Sequence, residues 1–391
     1  MKMKGILVAF IIINIVVVCD TATFSTEEKC SGKSHITIKI ALLDSFIPSF
    51  TSPAEMYEIL NGYSWETNEV RYEFRVKWVK DFQIANGILR KENFSILLIP
   101  GIGKEFWRIL DDEKLSRWKN EIRNFVANGG GYFGSCGGAN IASLGLLSPQ
   151  KRGWESWTVW EWFMNKSVLG IAPVKSYQDM ADPIASSIIW KNPSRVGMSA
   201  YVWYNLSING TGICQKCKIN TSHPIFQGYK RGERIIRWVA GPALLPVSKN
   251  VTVLAEYPDE NISGPNGNKS TCIHAWKYKP NPFDFWQMED EIIETHIAEK
   301  PCAISCRYGN GRVVIFGNHP EHPVWKRGEI FERDTHKNHL LFKGLFQWKN
   351  REYLPTSYNW WIVRRSIAWC AKIPDNELPP IEDFGEDNLI K

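Results

Sequence analysis

A single cysteine stands among glycines and small residues in the segment GYFGSCGGAN. Gly134 and Gly138 lie two residues before and after Cys136, which gives the form G-x-C-x-G. In a nucleophile elbow the chain turns sharply from a strand into a helix, so the residues at these two positions approach each other and must lack bulk. The pattern predicts a nucleophilic Cys136 on such a turn. The alternative is a glycine-rich turn that carries an incidental cysteine.

Backbone N–H groups near Cys136 could stabilise negative charge. A helix that begins directly after Cys136 would point its first N–H groups at the sulfur and favour a thiolate. The N–H of Gly137 would also face an oxyanion formed on an attacked carbonyl. A second donor is predicted at Pro100-Gly101 in LLIPGIG, where a strand ends. Taken alone, this second segment is equally typical of an ordinary turn at a strand end.

The segment GNHPEHP could supply a base. It follows the apolar strand pattern RVVIFG, so it should lie at the same carboxyl edge of the sheet as Cys136. His319 can take a proton from Cys136, and Glu321, two residues further on in an extended chain, can orient the imidazole. These residues make a predicted Cys-His-Glu triad. His322 is the nearest rival of His319, but no carboxylate follows it two residues later.

Alternating strands and helices are predicted around these residues. Strand patterns occur at 35–43, 70–79, 94–100, at GYF and at 312–317, and helix patterns occur at 53–62, 115–126, 139–147 and 357–372. This alternation favours an α/β fold, in which a parallel sheet carries helices on both faces. The active site of such a sheet lies at the carboxyl ends of its strands.

The pieces IPGIG, GSCGG and HPE, in this order, resemble the class I glutamine amidotransferase-like superfamily. The stretches GGGYFGSCGGANIAS, YGNGRVVIFGNHPEH and AGPALLP look most similar to its branch named for the N-terminal domain of biotin protein ligase. The resemblance covers about residues 35–372 and implies a flavodoxin-like parallel sheet, with Cys136 as nucleophile, His319 as base and Glu321 as its orienting partner. Ile102 stands at the second glycine of the family's P-G-G loop, so the resemblance leaves Gly101 or Ile102 as the loop-side oxyanion donor.

Two functions follow from these motifs. Nothing in the chain resembles a biotin ligase catalytic domain or a synthetase domain that would receive ammonia. We therefore expect an enzyme that acts on an amide or peptide bond of a small molecule or peptide, with no cofactor and no metal. The alternative is a catalytically inactive amidotransferase-like module that binds a ligand or partner at the cell surface.

An aromatic cluster, GWESWTVWEW, follows the elbow helix pattern. Its rings could line a substrate groove. Their spacing also suits packing of a helix onto the sheet, which we favour. The residues concerned are Trp154, Trp157, Trp160 and Trp162.

The ends of the chain differ from its centre. Lys2 and Lys4 precede an uncharged apolar run from Gly5 to about Cys19, the pattern of a secretory signal. Residues 1–24 are predicted as a signal peptide or an uncleaved signal anchor, so the chain should be secreted or extracytoplasmic. It should contact a membrane only if this segment is not cleaved. The amidotransferase-like domain is assigned to 33–373, with an irregular insertion at about 146–300. An acidic tail, 374–391, is expected to be disordered.

Export would expose the chain to glycosylation and to an oxidising compartment. The N-x-S/T sequons are at Asn93, Asn165, Asn205, Asn209, Asn220, Asn250, Asn261 and Asn268. Of the nine cysteines, those in CQKC and CAISC are expected to form disulfides rather than half of a zinc site. Cys370, in the last helix pattern, is the expected buried free thiol.

Bulk composition excludes some partners. The 391 residues are 44% hydrophobic and 23% charged, a balance typical of globular proteins. The net charge of +6 arises from 47 basic and 41 acidic residues mixed along the chain. Since dense Lys/Arg blocks are absent from the sequence, no nucleic-acid partner is predicted. The sequence does not indicate an oligomeric state.

Overall fold

A ten-stranded mixed sheet forms the centre of the molecule. A computed structural model describes residues 33–44, 52–101, 111–147, 165–177, 200–201, 213–239, 241–258, 272–279, 287–294, 297–326, 329–332 and 346–382. The strands are β1 Ser34–Leu43, β2 Ser64–Glu66, β3 Val70–Val79, β4 Ile96–Ile99, β5 Gly131–Ser135, β6 Leu146–Leu147, β7 Val174–Tyr177, β8 Ala200–Tyr201, β9 Ile213–Ile219, β10 Glu233–Trp238, β11 Ala243–Pro246, β12 Val251–Glu256, β13 Cys272–Lys279, β14 Gln287–Glu294, β15 Pro301–Tyr308, β16 Gly311–Phe316, β17 Glu329–Glu332 and β18 Phe346–Lys349. The helices are α1 Ser52–Leu60, α2 Asp81–Ala85, α3 Ile88–Lys91, α4 Asp112–Ala127, α5 Gly137–Ala142 and α6 Trp360–Cys370.

The strands of the large sheet lie in the order β10-β9-β12-β15-β16-β5-β4-β1-β3-β2. Strands β16, β5, β4, β1 and β3 are parallel to one another. Counted from β3 to β16 and numbered along the chain within this group, the strands lie in the order 2-1-3-4-5. Sheets with this strand order bind ligands beyond the carboxyl ends of their strands. The predicted parallel sheet is wrong beyond this group, because β15, β12, β9 and β10 continue the sheet in antiparallel pairs and β2 pairs antiparallel with β3.

Both faces of the parallel group are buried, as the apolar strand patterns predicted. Along β4, Ile96 and Leu98 belong to one hydrophobic cluster, and Leu97 and Ile99 belong to the other. This alternation follows from the two-residue period of a strand, and a strand buried on both faces has a continuous apolar sequence. Helices α1 and α6 pack on the first face and α4 on the second. The prediction of helices on both faces is confirmed.

The helices flanking the elbow show where local patterns succeed and fail. Helix α4 begins after Asp111, whose side chain accepts a hydrogen bond from the Lys114 N–H at 3.0 Å, and its apolar face is buried as predicted. Helix α5 was expected to continue to residue 147 but ends at Ala142. Gly145 has a φ of +107°, so the chain turns there and Leu146–Leu147 form β6 instead.

The segment after α6 is ordered as far as it is described. The Trp65 indole N–H donates to the Glu377 carbonyl oxygen at 2.8 Å, and Arg364 Nη1 donates to Glu382 Oε1 at 2.8 Å. Leu378 is buried. The prediction of a disordered tail from 374 is therefore wrong as far as Glu382, because this segment buries apolar and charged groups against the sheet and α6. Residues 383–391 lie outside the described residues.

The cysteines of β9 and β15 are free thiols. Strand β9 holds Cys214 and Cys217, and β15 holds Cys302 and Cys306. The sequence left their pairing open. Within one motif, three or four residues of extended chain span about 10 or 13 Å, beyond the roughly 4.4–6.8 Å between the Cα atoms of a disulfide, and no bond joins the two motifs either. The disulfide prediction is wrong here, and Cys370 is a buried free thiol as predicted. The described free thiols are Cys136, Cys214, Cys217, Cys302, Cys306 and Cys370.

Some predicted features fall outside the described residues. These are the N-terminal segment 1–24, the tryptophan cluster and parts of the insertion at 146–300. The described strands β9, β10 and β12 of that insertion belong to the large sheet. Among the helices of the described residues, none is long and apolar enough to cross a membrane.

Candidate active site

Cys136 lies in the turn between β5 and α5, where the sequence predicted an elbow. Its φ of +46° and ψ of −102° are strained for a residue other than glycine. A Cβ atom at Gly134 would lie 2.7 Å from the Gly138 carbonyl carbon, and a Cβ atom at Gly138 would overlap the Ile99 carbonyl oxygen. Both positions therefore require glycine, and the turn has the tight geometry that the pattern predicted.

The elbow is tied to the neighbouring strands. The Cys136 N–H donates to the Phe316 carbonyl oxygen at 2.8 Å, which joins the turn to the end of β16. The Cys136 thiol donates to the Val239 carbonyl oxygen at 3.7 Å, and the cysteine is partly exposed. Cys136 is therefore a half-buried residue whose backbone is fixed at the edge of the sheet.

His319 is placed by the chain that follows β16. Its N–H donates to the Arg237 carbonyl oxygen at 2.8 Å, which pairs this segment with the end of β10. Its Nδ1 lies 2.8 Å from Glu321 Oε1, and both residues are buried, 3% and 1% exposed. Since Nδ1 faces the carboxylate, Nε2 is the ring nitrogen left to exchange a proton with another group.

Gly101, after β4, lies against both side chains. A Cβ atom at Gly101 would overlap His319 Cε1 and lie 3.2 Å from Cys136 Cβ. The structure therefore brings the three predicted triad residues together beside this glycine. Gly137 adjoins Cys136 as the first residue of α5. The oxyanion roles of Gly101 and Gly137 stay predictions, and Ile102 lies outside the described residues.

The histidine and its carboxylate stabilise each other's charged forms. Burial favours the neutral imidazole, but the charges and side-chain hydrogen bonds of Glu321 and Cys136 outweigh burial and raise the pKa of His319. Burial also favours a protonated Glu321, but the charge and hydrogen bond of His319, with smaller contributions from His322 and Ser52, lower the pKa of Glu321. The pair is therefore a buried imidazolium–carboxylate pair.

His322 has a carboxylate partner that its sequence neighbours did not reveal. Its ring stacks on His319 with centroids 4.4 Å apart, and its Nδ1 bonds Glu55 Oε2 of α1. Burial and then the charge of His319 lower the pKa of His322 well below its usual value. Burial and then the charge of Glu321 raise the pKa of Glu55 to about 8. At neutral pH this second pair carries its proton on Glu55 and is uncharged.

Two serines also contact the site and were missed from the sequence. Ser52 Oγ and Ser135 Oγ donate to Glu321 Oε1 at 2.6 and 2.9 Å. The pattern Ser52-x-x-Glu55 is typical of a helix start, where both side chains would bond the helix's own backbone. Ser135 stood in the elbow motif at a position where the pattern specifies no residue type. Only the fold shows that these groups face Glu321 and His322.

A metal ion fits this cluster poorly. His319, Glu321 and His322 offer ligand atoms within 4.8 Å of one another. An imidazole binds a metal through a lone pair in its ring plane, but the two rings are stacked at an interplanar angle of 16°. Nearly parallel, separated planes do not converge on one ion. Each Nδ1 is also bonded to a carboxylate, so these residues suit a hydrogen-bond network.

A cavity of about 390 Å³ lies elsewhere in the described part of the chain. Phe94 and Ser95 before β4, and Gly129 and Gly130 before β5, line it. It therefore opens at the amino ends of the parallel strands. The triad lies at their carboxyl ends, so this cavity does not belong to the candidate active site.

Comparison with known proteins gives distant structural neighbours. A crystal structure of a glutamine amidotransferase matches with a TM-score of 0.35 at 13% identity, covering 72% of this chain and 90% of the other. A protein described as a GMP synthase subunit, from Thermoplasma acidophilum, matches with a TM-score of 0.38 at 11% identity, covering 87% and 96%. A ThuA-like protein from Parabacteroides merdae matches with a TM-score of 0.37 at 11% identity, covering 89% and 92%.

No protein-family model matches the chain, and no curated protein matches it. Likeness at these identities and TM-scores assigns no activity. The function must therefore be argued from the geometry of Cys136, His319 and Glu321.

Proposed function

We propose that the chain is an exported cysteine hydrolase or amidotransferase-like enzyme that acts on an amide or peptide bond. Its fold is proposed to be of the class I glutamine amidotransferase-like kind, with a flavodoxin-like parallel group and closest to the biotin protein ligase N-terminal branch. The strand order 2-1-3-4-5 of β3, β1, β4, β5 and β16 supports this assignment.

One observation carries the proposal. Cys136 has a strained backbone at the carboxyl end of a central parallel strand, directly beside a buried His319 whose Nδ1 is bonded to a carboxylate. A structural cysteine needs neither the strained turn nor a charged partner, whereas an activated nucleophile needs both a fixed direction of attack and a base.

The proposed reaction has two stages, formation of a thioester on Cys136 and its hydrolysis by water. Cys136 Sγ attacks the carbonyl carbon as a thiolate, and the N–H groups of Gly137 and Gly101 hold the oxyanion. The His319 imidazolium then gives a proton to the leaving nitrogen, the C–N bond breaks, and a thioester remains. His319 next takes a proton from water, whose oxygen attacks the thioester carbon. The C–S bond breaks, the carboxylic acid leaves and Cys136 returns to the thiolate beside the His319 imidazolium. Glu321 keeps the imidazole oriented and stabilises its positive charge throughout.

The first test measures the reactivity of Cys136 in the full chain. Iodoacetamide labelling, followed by peptide mass spectrometry, should modify Cys136 at least tenfold faster than Cys214, the matched internal control. Cys214 is also a partly exposed free thiol, but burial raises its pKa to about 12. The His319→Ala variant should lose the rapid labelling of Cys136. A screen of glutamine and peptide amides should then find a substrate that Cys136→Ala does not hydrolyse.

The alternative, a binding module without activity, predicts the opposite labelling pattern. Cys136 would then react no faster than Cys214, and His319→Ala would leave its rate unchanged. That result would overturn the catalytic proposal and leave the amidotransferase-like surface as a site for a ligand or partner.

A further inference from the structure

The two oxygens of the Glu321 carboxylate differ in their hydrogen bonds. Its Oε1 receives Ser52 Oγ at 2.6 Å and Ser135 Oγ at 2.9 Å, and faces His319 Nδ1 at 2.8 Å. Its Oε2 is buried and has no hydrogen-bond partner among the described residues. All three polar contacts therefore act on one oxygen, and together they select one orientation of the carboxylate plane.

The two serines come from different elements. Ser52 is the first residue of α1 and Ser135 is the last residue of β5, directly before Cys136. They are 1% and 0% exposed. Since Glu321 belongs to the chain after β16, these bonds join the segment that carries the base to the helix after β1 and to the strand that carries the nucleophile. A shift of Glu321 relative to Cys136 would break one or both bonds.

A buried carboxylate without these donors would have two ways to relax. A glutamate side chain has three rotatable bonds, so it could swing away from His319. It could also bind a proton, because burial favours the neutral form of Glu321. Either change would remove the group that holds the Nδ1 side of the His319 ring, and the ring could then turn relative to Cys136.

We propose that Ser52 and Ser135 are positioning residues, which hold the Glu321 carboxylate against His319 so that the imidazole faces Cys136. This inference rests on the proposed function, since it assigns the serines a role in activating the same nucleophile. In the contacts described, both hydroxyls donate to Glu321 and neither bonds the Cys136 sulfur, so both act through Glu321.

The test compares variants in the full chain by two measurements. Ser52→Ala, Ser135→Ala and the double variant are assayed for the rate of Cys136 alkylation by iodoacetamide between pH 5 and 9, and for thermal unfolding. Each single variant loses one hydrogen bond to a charged group and should slow alkylation at neutral pH by about tenfold. The pH profile should also shift. The hydroxyl hydrogen bond stabilises the charged form of Glu321, so its loss should raise the pKa of Glu321.

Two control variants separate positioning from packing. Ser366 is a buried serine of α6 whose hydroxyl has no hydrogen-bond partner in the described residues, so Ser366→Ala should alkylate at the wild-type rate. Ser52→Thr keeps the hydroxyl at the start of α1 and should restore most of the rate lost in Ser52→Ala. If Ser366→Ala loses as much rate as Ser52→Ala, or if Ser52→Thr restores nothing, the positioning role is wrong.

The outcomes for the two proposals are distinct. If the double serine variant alkylates like wild type while His319→Ala is slow, Cys136 is still activated by His319 and only the positioning proposal fails. If His319→Ala itself alkylates like wild type, the proposed catalytic function fails first. If one serine variant does not fold, the alanine variant of the other serine decides, because each removes one of the two hydroxyl bonds to Glu321 Oε1.

Discussion

Cys136 occupies a backbone conformation that costs roughly 1–3 kcal/mol in a residue other than glycine. This conformation is held by the hydrogen bond from its N–H to the Phe316 carbonyl oxygen. Gly134 and Gly138 also allow it, because they leave room for backbone atoms that a side chain would overlap. Beside it, His319 and His322 stack with a carboxylate on each Nδ1, but only one of these pairs is charged at neutral pH. At the residue scale, the site therefore limits its buried negative charge to Glu321.

The uncharged state of Glu55 should be visible in the pH dependence of stability. Its pKa of about 8 in the fold lies above its ordinary 4.5, so its favourable contribution is complete below about pH 4.5 and is lost as the pH rises to about 8. The Glu55→Gln variant cannot lose that contribution. Relative to wild type, its free energy of unfolding should rise by up to about 1.4 kcal/mol per pH unit across this window.

Urea denaturation at pH 5, 6.5 and 8 measures this difference. The control is Glu58→Gln, on the exposed side of the same helix, whose stability should follow wild type at all three values. A difference between Glu55→Gln and wild type that stays constant with pH would show that Glu55 is ionised in the fold.

At the scale of elements, the site is assembled by four parallel strands. Ser52 begins the helix after β1, Gly101 follows β4, Cys136 follows β5 and His319 follows β16. The carboxyl ends of parallel strands meet at one edge, so short segments far apart in the sequence converge there. The close approach of the elbow to β4, through Gly138 and Ile99, sets how near these ends can come.

The contact between Gly138 and Ile99 predicts a sharp steric effect. In Gly138→Ala the new methyl group would overlap the Ile99 carbonyl oxygen, which belongs to a central strand and cannot move freely. We expect a loss of about 3 kcal/mol or more in stability, measured by the midpoint of thermal unfolding, with loss of rapid Cys136 labelling. Gly232→Ala is the control, since nothing lies within 4 Å of its new methyl group. Equal midpoints for the two variants would contradict the elbow geometry.

The elements nearest the motifs were predictable from sequence, and the more distant ones were not. Strand β4 is a continuous apolar run and α4 has its apolar residues three and four apart, so period and length identify both. Strands β9 and β10 mix charged and apolar residues at a sheet end, and no local pattern states which strand they pair with. The parallel prediction failed for this reason.

The site was predicted in the same partial way. Cys136, His319 and Glu321 stand in compact motifs whose residue types already indicate chemistry. Ser52 and Glu55 belong to a pattern that any helix start can show, and their contacts with Glu321 and His322 span 269 and 267 positions of the chain. Contacts of that range depend on strand order, which local residue patterns do not specify.

For the whole molecule, the sequons provide a test of the proposed export. Asn93 and Asn250 are exposed, whereas the Asn220 side chain donates to the Val253 carbonyl oxygen at 2.8 Å. A glycan on Asn220 would replace one of the two hydrogens of that amide and would have to fit at a half-buried contact between the segment after β9 and β12. We therefore expect secreted protein from eukaryotic cells to carry glycans at Asn93 and Asn250 but not at Asn220.

Enzymatic deglycosylation in heavy-oxygen water, followed by peptide mass spectrometry, locates the occupied sites. The same chain expressed without residues 1–24 is the control and should carry no glycans. Glycosylated Asn220 in folded protein, or bare Asn93 and Asn250 in secreted protein, would contradict the prediction.

The distance along the chain between the elbow and the segment that holds His319 has a consequence for biosynthesis. A ribosome completes Cys136 long before it adds β16, and β16 must pair with β5 before the imidazole reaches the sulfur. A nascent chain, or a product truncated before this strand, therefore lacks the imidazole beside Cys136. If His319 activates Cys136 as proposed, the sulfur would gain this reactivity only after β16 has folded beside β5.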